Sequence, residues 1–199
     1  MGILGLITAR GGSKRLPKKS VLPVSGKPLI AWTIEAALQS KCLGRVIVST
    51  DDEEIAEISR LWGAEIPFMR PAELARDDSS HISVVEHAVE WLSGQAANTL
   101  DSVMVLQPTS PLRTAADIDS AASIHEEKGA RGVVSVCATH HHPYLVKRIA
   151  QDGTLEEFVS SALGYDRFQD LPPAYFVNGA IYLTKCEAIL QEQTFYPYP

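Results

Sequence analysis

The sequence predicts an α/β fold in which helices cover both faces of a mainly parallel sheet, giving three layers. Two observations predict this class. Short apolar, β-branched runs alternate with amphipathic stretches of about ten to fifteen residues, which is the pattern of successive βαβ units. Each apolar run also ends at glycine, proline or polar residues, as buried strands do. A chain of 199 residues has room for one domain of this kind.

The elements of the first sixty residues follow in order. Ile3–Ile7 is a β-rich apolar run that ends in a glycine- and lysine-rich loop, and it predicts a buried strand. A helix is predicted over about Pro28–Lys41, because proline is favoured at the first helical position. Arg45–Thr50 predicts a second strand, and Asp51 or Asp52 then caps a helix. The apolar residues expected on one face of that helix are Ile55, Ile58 and Leu61.

The alternation continues to about residue 136. Ala64–Phe68 predicts a third strand, and Ile82–Leu92 predicts a helix with apolar residues at helical spacing. Val103–Leu106 is the next buried strand, closed abruptly by a proline-rich turn. A helix over Ala115–Lys128 and a strand over Gly132–Val136 complete the series. Because ligands bind outside the carboxyl ends of strands in such sheets, the loops after the first, second and fourth strands should share one rim.

The pattern changes after about residue 138. Residues 138–176 are polar and rich in proline and glycine, which predicts an inserted arm within a single domain of residues 1–199. Asn178 and Gly179 stand between two apolar pairs that return the chain to a strand. A hairpin turn at Asn-Gly is the alternative interpretation.

Composition excludes several classes of function. A net charge of −6 argues against a general nucleic-acid binder, which carries a basic face. No apolar run is long enough to span a bilayer, and no secretory signal opens the chain. Three widely spaced cysteines, Cys42, Cys137 and Cys186, form neither a metal-ligand pattern nor a redox pair. We therefore expect a cytoplasmic protein with reduced thiols and small-molecule partners.

One local cluster of basic residues follows the first strand. It holds five of the eighteen lysines and arginines and no acid: Arg10, Lys14, Arg15, Lys18 and Lys19. Glycines after a strand let the backbone approach a phosphate, and basic side chains would stabilise charge on leaving pyrophosphate. The spacing fits neither a Walker loop nor a dinucleotide-binding fingerprint. A solvated charged loop is the alternative interpretation.

Five motifs in order give the chain a resemblance to acylneuraminate cytidylyltransferases. They are Ala9–Lys19 with Gly26–Leu29, Val48–Asp51, Arg70–Leu74, Leu106–Arg113 (Leu-Gln-Pro-Thr-Ser-Pro-Leu-Arg) and Asn178–Tyr182 (Asn-Gly-Ala-Ile-Tyr). The similarity covers about residues 3–185. It implies a Rossmann-like nucleotidyltransferase fold, a homodimer that uses the arm, CTP as substrate, and Mg²⁺ or Mn²⁺ as cofactor.

The resemblance also implies roles for individual residues. Residues expected to bind the nucleotide are Ala9, Arg10, Gly11, Gly12, Ser13, Lys19, Ser20, Arg70, Ser79 and Ser80. Residues expected to face the sugar are Gln107, Arg167, Asn178 and Tyr182. Residues expected to act in catalysis are Arg10, Lys14, Lys19 and Arg167.

Simpler interpretations stay open for some of these residues. Gln107 could be an amide that stabilises the turn at Pro108, and Arg70 could be a surface charge before a proline. Phe168 and Phe176 stand where some members of the family have arginine, and phenylalanine cannot bind a carboxylate as a guanidinium does. The identity of the sugar acid is therefore open, with legionaminic acid as plausible as N-acetylneuraminate.

The residues that hold a catalytic metal are unknown from the sequence. The family carries an acidic segment of the Asp-Ile-Asp-Thr type near its C-terminus, and this chain stops at Pro199 before any such segment. A truncated sequence is the expected explanation. Asp51 and Asp52 could hold Mg²⁺, although helix capping is favoured. Adjacent histidines in the run 140–142 point to opposite faces of an extended segment, which argues against a metal site.

Three functions are therefore considered. The first is a cytidylyltransferase that joins CMP from CTP to a nonulosonic acid of the sialic type and releases pyrophosphate. The second is another sugar nucleotidyltransferase, such as one acting on an eight-carbon keto-deoxy acid. The third is a nucleotide-binding protein of this fold without catalysis.

Overall fold

A five-stranded sheet is the centre of the fold in this computed structural model, which describes residues 2–14, 16–95, 100–159 and 167–198. Its order is β4-β1-β5-β9-β6. The strands of the chain are β1 (Ile3–Thr8), β2 (Pro23–Val24), β3 (Lys27–Pro28), β4 (Leu43–Ser49), β5 (Ser102–Val105), β6 (Gly132–Ala138), β7 (Lys147–Ile149), β8 (Leu155–Glu157) and β9 (Tyr175–Lys185). The α-helices are α1 (Leu29–Gln39), α2 (Glu53–Leu61), α3 (His81–Ser93) and α4 (Ala115–Lys128).

The sheet is mainly parallel, as predicted. Strand β1 pairs in parallel with both β4 and β5, so that Leu6 lies between Ile47 and Val105. Strand β9 runs antiparallel to β5, with Val105 opposite Tyr182. The parallel pairs require crossover connections, and helices α1 and α3 supply them.

Two apolar cores lie on opposite faces of the sheet, which confirms the three layers. Alternate residues of β1 divide between them: Ile3 and Ile7 belong to one core, and Leu4 and Leu6 to the other. The first core contains apolar residues of α1, α2 and α4, and the second contains those of α3. Continuous apolar runs are therefore required in the strands, because both faces are buried.

Side-chain caps fix where three of the helices begin. Asp52 accepts a hydrogen bond from the Ile55 N–H at 3.0 Å, so Asp52 rather than Asp51 caps α2. Ser80 caps α3 in the same way. Thr114 and Asp117 form a reciprocal capping box at α4. The N–H and hydroxyl of Thr114 hold the pKa of the Asp117 carboxyl below its ordinary value.

Two predictions about elements are wrong. Residues 64–68 form no strand; Glu65 makes an isolated bridge with Ile47, and Pro67, which has no N–H, cannot extend the pairing. Leu61 is 84% exposed, although it was expected on the buried face with Ile55. Six residues at about 100° each place Leu61 about 120° away from Ile55 around the helix.

The chain divides into two units, Met1–Ser135 with Gly179–Pro199, and Val136–Asn178. The second unit begins and ends within two residues of the predicted arm. It contains the hairpin of β7 and β8, across which Arg148 pairs with Glu156. Its largely exposed apolar side chains include Ile149, Leu155, Phe158 and Tyr175. Use of this unit in dimerisation stays a prediction.

None of the helices in the described part of the chain is long and apolar enough to cross a membrane.

A buried histidine in α4 should make stability depend on pH. The His125 ring is 1% exposed, and its Nε2 lies 3.0 Å from the Ser102 hydroxyl. Burial, and then the charge of Lys185, lowers the pKa of His125 below its ordinary value of 6.5. The unfolded chain therefore binds this proton more readily than the folded one. The free energy of unfolding should fall as pH drops below about 6.5, until the folded-state pKa is passed.

The measurement is urea unfolding at pH 7.5 and at successively lower pH. His125→Asn should flatten this pH dependence, whereas His140→Asn, a change at an exposed histidine, should leave it as in the wild type. An unchanged slope in His125→Asn would show that other groups cause the dependence.

Candidate functional site

A cavity of about 360 Å³ opens at the carboxyl edge of the sheet, where the loops after β1 and β5 meet the segment before α3. The loop after β4 joins the same rim, because Asp51 accepts a hydrogen bond from the Gly11 N–H at 3.2 Å. The shared rim predicted from the sequence is thereby confirmed. The predicted site residues in the lining are Ala9, Arg10, Ser13, Lys19, Ser20, Arg70, Ser79 and Gln107.

Basic side chains dominate the charged part of this lining. The described part of the lining contains four basic side chains and a single carboxylate, that of Asp77. The basic residues are Arg10, Lys19, Arg70 and Arg76. This excess of positive charge in a concave site favours a ligand with several negative charges. Although the whole protein is acidic, its cavity is basic.

The basic loop is tied to the segment before α3. Arg10 donates Nη2–H to Asp77 Oδ1 and Nη1–H to the Arg76 carbonyl, each at 2.8 Å. Lys14 Nζ lies 2.6 Å from Asp77 Oδ2. The hydrogen bond from Lys14 and the charges of Lys14 and Arg10 keep the pKa of the Asp77 carboxyl below its ordinary value, although burial acts in the opposite sense. Arg15 lies outside the described residues.

The two glycines of the loop differ in their surroundings. A Cβ on Gly11 would lie 2.5 Å from Asp52 Oδ2, so the close packing of the loop on the start of α2 requires glycine there. A Cβ on Gly12 would meet no atom within 4 Å. The space beside Gly12 is therefore open, as a loop that approaches a ligand requires.

Neighbouring lysines after the loop have different partners. Lys19 begins a single helical turn, Lys19–Val21, and lines the cavity together with buried Ser20. Lys18 instead pairs with Glu54 of α2. Lys18 also has a left-handed backbone, with φ at 53°, which turns consecutive side chains in different directions.

Arg70 is buried, with 6% of its surface exposed, so the interpretation as a surface charge is wrong. Its guanidinium donates to the Ser49 hydroxyl at 3.1 Å, to the Ser49 carbonyl and to the Ala9 carbonyl at 3.4 Å. Arg70 therefore joins the ends of β1 and β4 beneath the loop. Burial lowers the pKa of Arg70 to about 10, with Asp51 opposing and Arg10 adding to this shift, so the group is charged at neutral pH.

The start of α3 forms another wall of the cavity. Ser79 donates its hydroxyl to the Glu73 carbonyl at 2.8 Å, and Ser80 is engaged in the helix cap. His81 follows, with Nε2 3.0 Å from the Thr8 hydroxyl. Burial, and then the charge of Arg70, lowers the pKa of His81, so the ring is neutral at pH 7.

Gln107 lines the cavity directly after β5, and its backbone is held by a buried arginine. Arg113 Nη1 donates to the carbonyls of Gln107 at 3.2 Å and Ala180 at 2.7 Å, linking β5 to β9. The Gln107 side chain accepts a bond from the Thr109 hydroxyl at 3.4 Å, so it also stabilises the turn. A Cβ on Gly179 would lie 3.3 Å from Gln107 Oε1, and Gly179 has φ at 77°. The positive φ favours glycine here, and a Cβ would also press on the Gln107 amide.

The remaining predicted residues belong to β9 and to the second unit. Asn178 and Gly179 fall inside β9, so the hairpin alternative is wrong. Asn178 ends the second unit, which also contains Arg167, exposed and paired with Asp170 at 2.8 Å. Tyr182 packs its ring on Phe195, and burial raises its pKa. Tyr165 and Asp166, part of the segment used to identify Arg167, lie outside the described residues.

Of the other predicted residues, Gly11, Gly12, Lys14, Ser80 and Tyr182 are not among the described residues of the cavity lining. The roles assigned to all of these residues stay predictions.

Sequence reasoning missed several residues of the cavity, among them Thr8, Arg76, Asp77 and His81. Arg76 and Asp77 stand between Arg70 and Ser79, which were both assigned to the nucleotide. A short segment between two site residues has to pass close to the ligand. That constraint could have identified its two charged residues.

The described residues do not form a metal site on their own. In the described ranges, no three histidine, cysteine or carboxylate side chains lie close enough to hold an ion. Asp52 accepts the Ile55 N–H as the cap of α2, and Asp51 accepts the Gly11 N–H of the loop after β1. His142 is buried, with Nε2 3.0 Å from the Pro172 carbonyl.

Comparison with known proteins agrees with this geometry. The family model described as Cytidylyltransferase matches residues 4–196. A CMP-N,N'-diacetyllegionaminic acid synthase of Legionella pneumophila is 40% identical over 205 residues, covering 100% of this chain and 84% of that protein. A pseudaminic acid cytidylyltransferase of Campylobacter jejuni is 34% identical, covering 95% of this chain and 81% of its own length.

Longer proteins are similar as well. An N-acylneuraminate cytidylyltransferase of Streptococcus agalactiae serotype V is 36% identical over 96% of this chain, which spans only 45% of the streptococcal protein. Among solved structures, CMP:2-keto-3-deoxy-manno-octonic acid synthetase complexed with CTP has a TM-score of 0.72 and 23% identity, covering 100% of this chain and 80% of that one. This last likeness concerns the fold. On the family match and these relatives, the chain belongs to the cytidylyltransferase family.

Proposed function

We propose that this protein transfers CMP from CTP to a nonulosonic acid of the sialic type and releases pyrophosphate. The observation that carries the proposal is the cavity at the carboxyl edge of the sheet, with its four basic side chains around a glycine loop. Relatives named for legionaminic, pseudaminic and N-acylneuraminic acids support the choice of acceptor. A triphosphate carries the multiple negative charges that such a cavity favours.

In this reaction the anomeric 2-hydroxyl oxygen of the sugar acid attacks the α-phosphorus of CTP. The new oxygen–phosphorus bond forms as the bond between the α-phosphorus and the bridging oxygen to the β-phosphorus breaks. Pyrophosphate leaves with that electron pair, and the hydroxyl proton passes to solvent. The contribution of the protein is chiefly positioning and electrostatic stabilisation, because phosphoryl chemistry of this kind requires little covalent participation.

Individual side chains have distinct parts in this proposal. Arg10 and Lys19 stabilise the charge that develops on pyrophosphate, and Lys14 joins them once it is free of Asp77. Arg70 acts by fixing the Ala9 carbonyl where the loop begins. Ser79 and Ser80 lie at the start of α3, where backbone and hydroxyl groups suit the cytosine. Gln107 offers an amide that can bridge two hydroxyls of the sugar.

Further parts of the proposal concern the second unit, the cofactor and the place of action. Arg167 and Asn178 contact the sugar acid, and the exposed apolar side chains of Val136–Asn178 pack in a homodimer, as in the family that the chain resembles. Mg²⁺ or Mn²⁺ accompanies CTP, and the protein acts in the cytoplasm. Analytical ultracentrifugation of Ile149→Asp tests the dimer directly, since a charge at this 73% exposed position should dissociate it.

The function is tested by pyrophosphate release from CTP in the presence of Mg²⁺. The acceptors are N-acetylneuraminate, N,N'-diacetyllegionaminate, pseudaminate and the eight-carbon keto-deoxy acid. We expect turnover with at least one nine-carbon acid and about 100-fold less with the eight-carbon acid. A site built to hydrogen-bond a group of its substrate can reject a ligand that lacks this group by about 10⁴- to 10⁵-fold, because its own polar groups are then left unpaired. A reaction without acceptor is the control.

Two results would contradict the proposal. Turnover confined to the eight-carbon acid would assign the protein to the second function considered above. Binding of CTP without turnover on any acceptor would assign it to nucleotide binding alone.

A further inference from the structure

One carboxylate, that of Asp77, pairs with two cations of the loop that follows β1. Asp77 offers Oδ1 to Arg10 and Oδ2 to Lys14, at 2.8 and 2.6 Å, so neither oxygen is left without a cation. Asp77 also belongs to the lining of the cavity, between Arg76 and Ser79. A carboxylate with two bridging cations occupies the kind of position that a phosphate group would take.

Asp77 is not needed to hold Arg10 in place. Arg10 also donates Nη1–H to the Arg76 carbonyl at 2.8 Å, and this backbone contact does not depend on the Asp77 charge. Loss of that charge would therefore leave Arg10 next to the cavity. The carboxylate contributes neutralisation rather than positioning.

A polyanion entering the cavity has to compete with this carboxylate. Arg10 and Lys14 cannot give their full charge to a phosphate while they neutralise Asp77. If Asp77 stays, it repels the ligand; if it moves away, both ion pairs are broken. The affinity for the polyanion decreases in either case.

We propose that Asp77 is an internal counter-anion that competes with the triphosphate for Arg10 and Lys14 and so limits the affinity of the empty cavity for nucleotide. The inference rests on the proposed function in taking the polyanion to be the triphosphate of CTP. Asp77 acts on the ligand through the charges of these two side chains rather than by contact with the reacting atoms. In the free protein it holds the cations together, and in the complex it releases them. The same competition favours release of pyrophosphate after the transfer.

The test is isothermal calorimetry of Asp77→Asn with pyrophosphate alone and with CTP. Asparagine keeps the shape of the side chain and removes its charge. We expect Asp77→Asn to bind both ligands about 3- to 10-fold more tightly than the wild type, from the strength of two exposed ion pairs. Asp77→Glu should bind both ligands with about the affinity of the wild type, because it keeps the negative charge. Thermal unfolding of each variant shows whether the fold is intact.

Asp78→Asn is the matched control. Asp78 is the next residue of the same loop, has the same charge, and makes no salt bridge among the residues that the structure describes. Its replacement should change either affinity by less than about twofold, as expected for a single exposed charge. Equal tightening in Asp78→Asn would assign the effect to net charge and overturn the proposal.

Unchanged or weaker binding by Asp77→Asn would also overturn it, since Asp77 would then serve to orient the cations. If neither the wild type nor any of the variants binds pyrophosphate, the proposal is overturned as well. The pyrophosphate experiment contains neither cytidine nor sugar. Tighter binding of pyrophosphate by Asp77→Asn, together with no turnover of CTP by the wild type, would therefore reject the proposed function and leave this inference standing.

Discussion

Replacement of Lys19 by methionine is expected to lower kcat/KM for CTP by about 10²- to 10³-fold, the usual result of removing one group that stabilises charge in a transition state. Lys19 lines the cavity at the first residue of the helical turn after the glycine loop. Methionine keeps the apolar stem of the side chain and removes the ammonium group. The measurement is steady-state pyrophosphate release with the best nine-carbon acceptor.

Lys18→Met is the control for this experiment. The two lysines are adjacent, but Lys18 pairs with Glu54 and is not among the described residues of the cavity lining. Its loss should change kcat/KM by less than about threefold, since an exposed ion pair contributes little. Equal losses in the two variants would mean that the turn as a whole, rather than the charge in the cavity, supports the reaction.

The architecture of the sheet was predictable because it depends on local patterns. Every residue of the run Ile3–Ile7 is apolar, which predicts a strand buried on both faces. The structure places alternate residues of the run in two separate cores. The residue type and position of Asp51 and Asp52 predicted that one of them caps α2, and the structure shows that it is Asp52. The two wrong elements also have local causes. Pro67 has no N–H to continue a strand, and Leu61 lies about 120° around the helix from the buried Ile55.

Contacts between distant parts of the chain were not predictable in the same way. Arg10 and Asp77 are 67 residues apart, and their ion pair depends on how the loop after β1 meets the segment before α3. The burial of Arg70 has the same origin, because it depends on how Arg70 meets the ends of β1 and β4. Motif similarity predicted that Arg70 lies near the nucleotide, and that role stays a prediction. The structure shows that Arg70 is hydrogen-bonded to Ala9 and Ser49.

A similar explanation applies to Gln107 and Gly179. The sequence placed them in two separate motifs, and a hairpin turn accounted equally well for the second. In the structure Gly179 lies within β9 next to the Gln107 side chain. A Cβ on Gly179 would lie 3.3 Å from Gln107 Oε1, so glycine leaves room for this side chain. The two motifs are therefore parts of one packing arrangement. Arg113 links them by donating hydrogen bonds to the carbonyls of Gln107 and Ala180.

Arg70→Met should lower the free energy of unfolding by about 3 kcal/mol, because it leaves two carbonyls and a hydroxyl without the donor that they now share. The affected groups belong to Ala9 and Ser49, at the ends of β1 and β4. Arg70→Lys should lose nearly as much, since an ammonium group cannot reproduce the geometry of a guanidinium. Urea unfolding of the wild type and both variants at pH 7.5 measures the difference.

Arg76→Met provides the comparison that separates charge from position. Arg76 lines the same cavity, but its side chain is exposed and makes no hydrogen bond or salt bridge within the described ranges. Its replacement should leave the free energy of unfolding within about 0.5 kcal/mol of the wild type, as surface changes do. Affinity for CTP should fall modestly, because one of four basic groups is lost. Equal stability of Arg70→Met and Arg76→Met would mean that Arg70 does not join the two strand ends, and its part in the reaction would then have to be direct contact with the nucleotide.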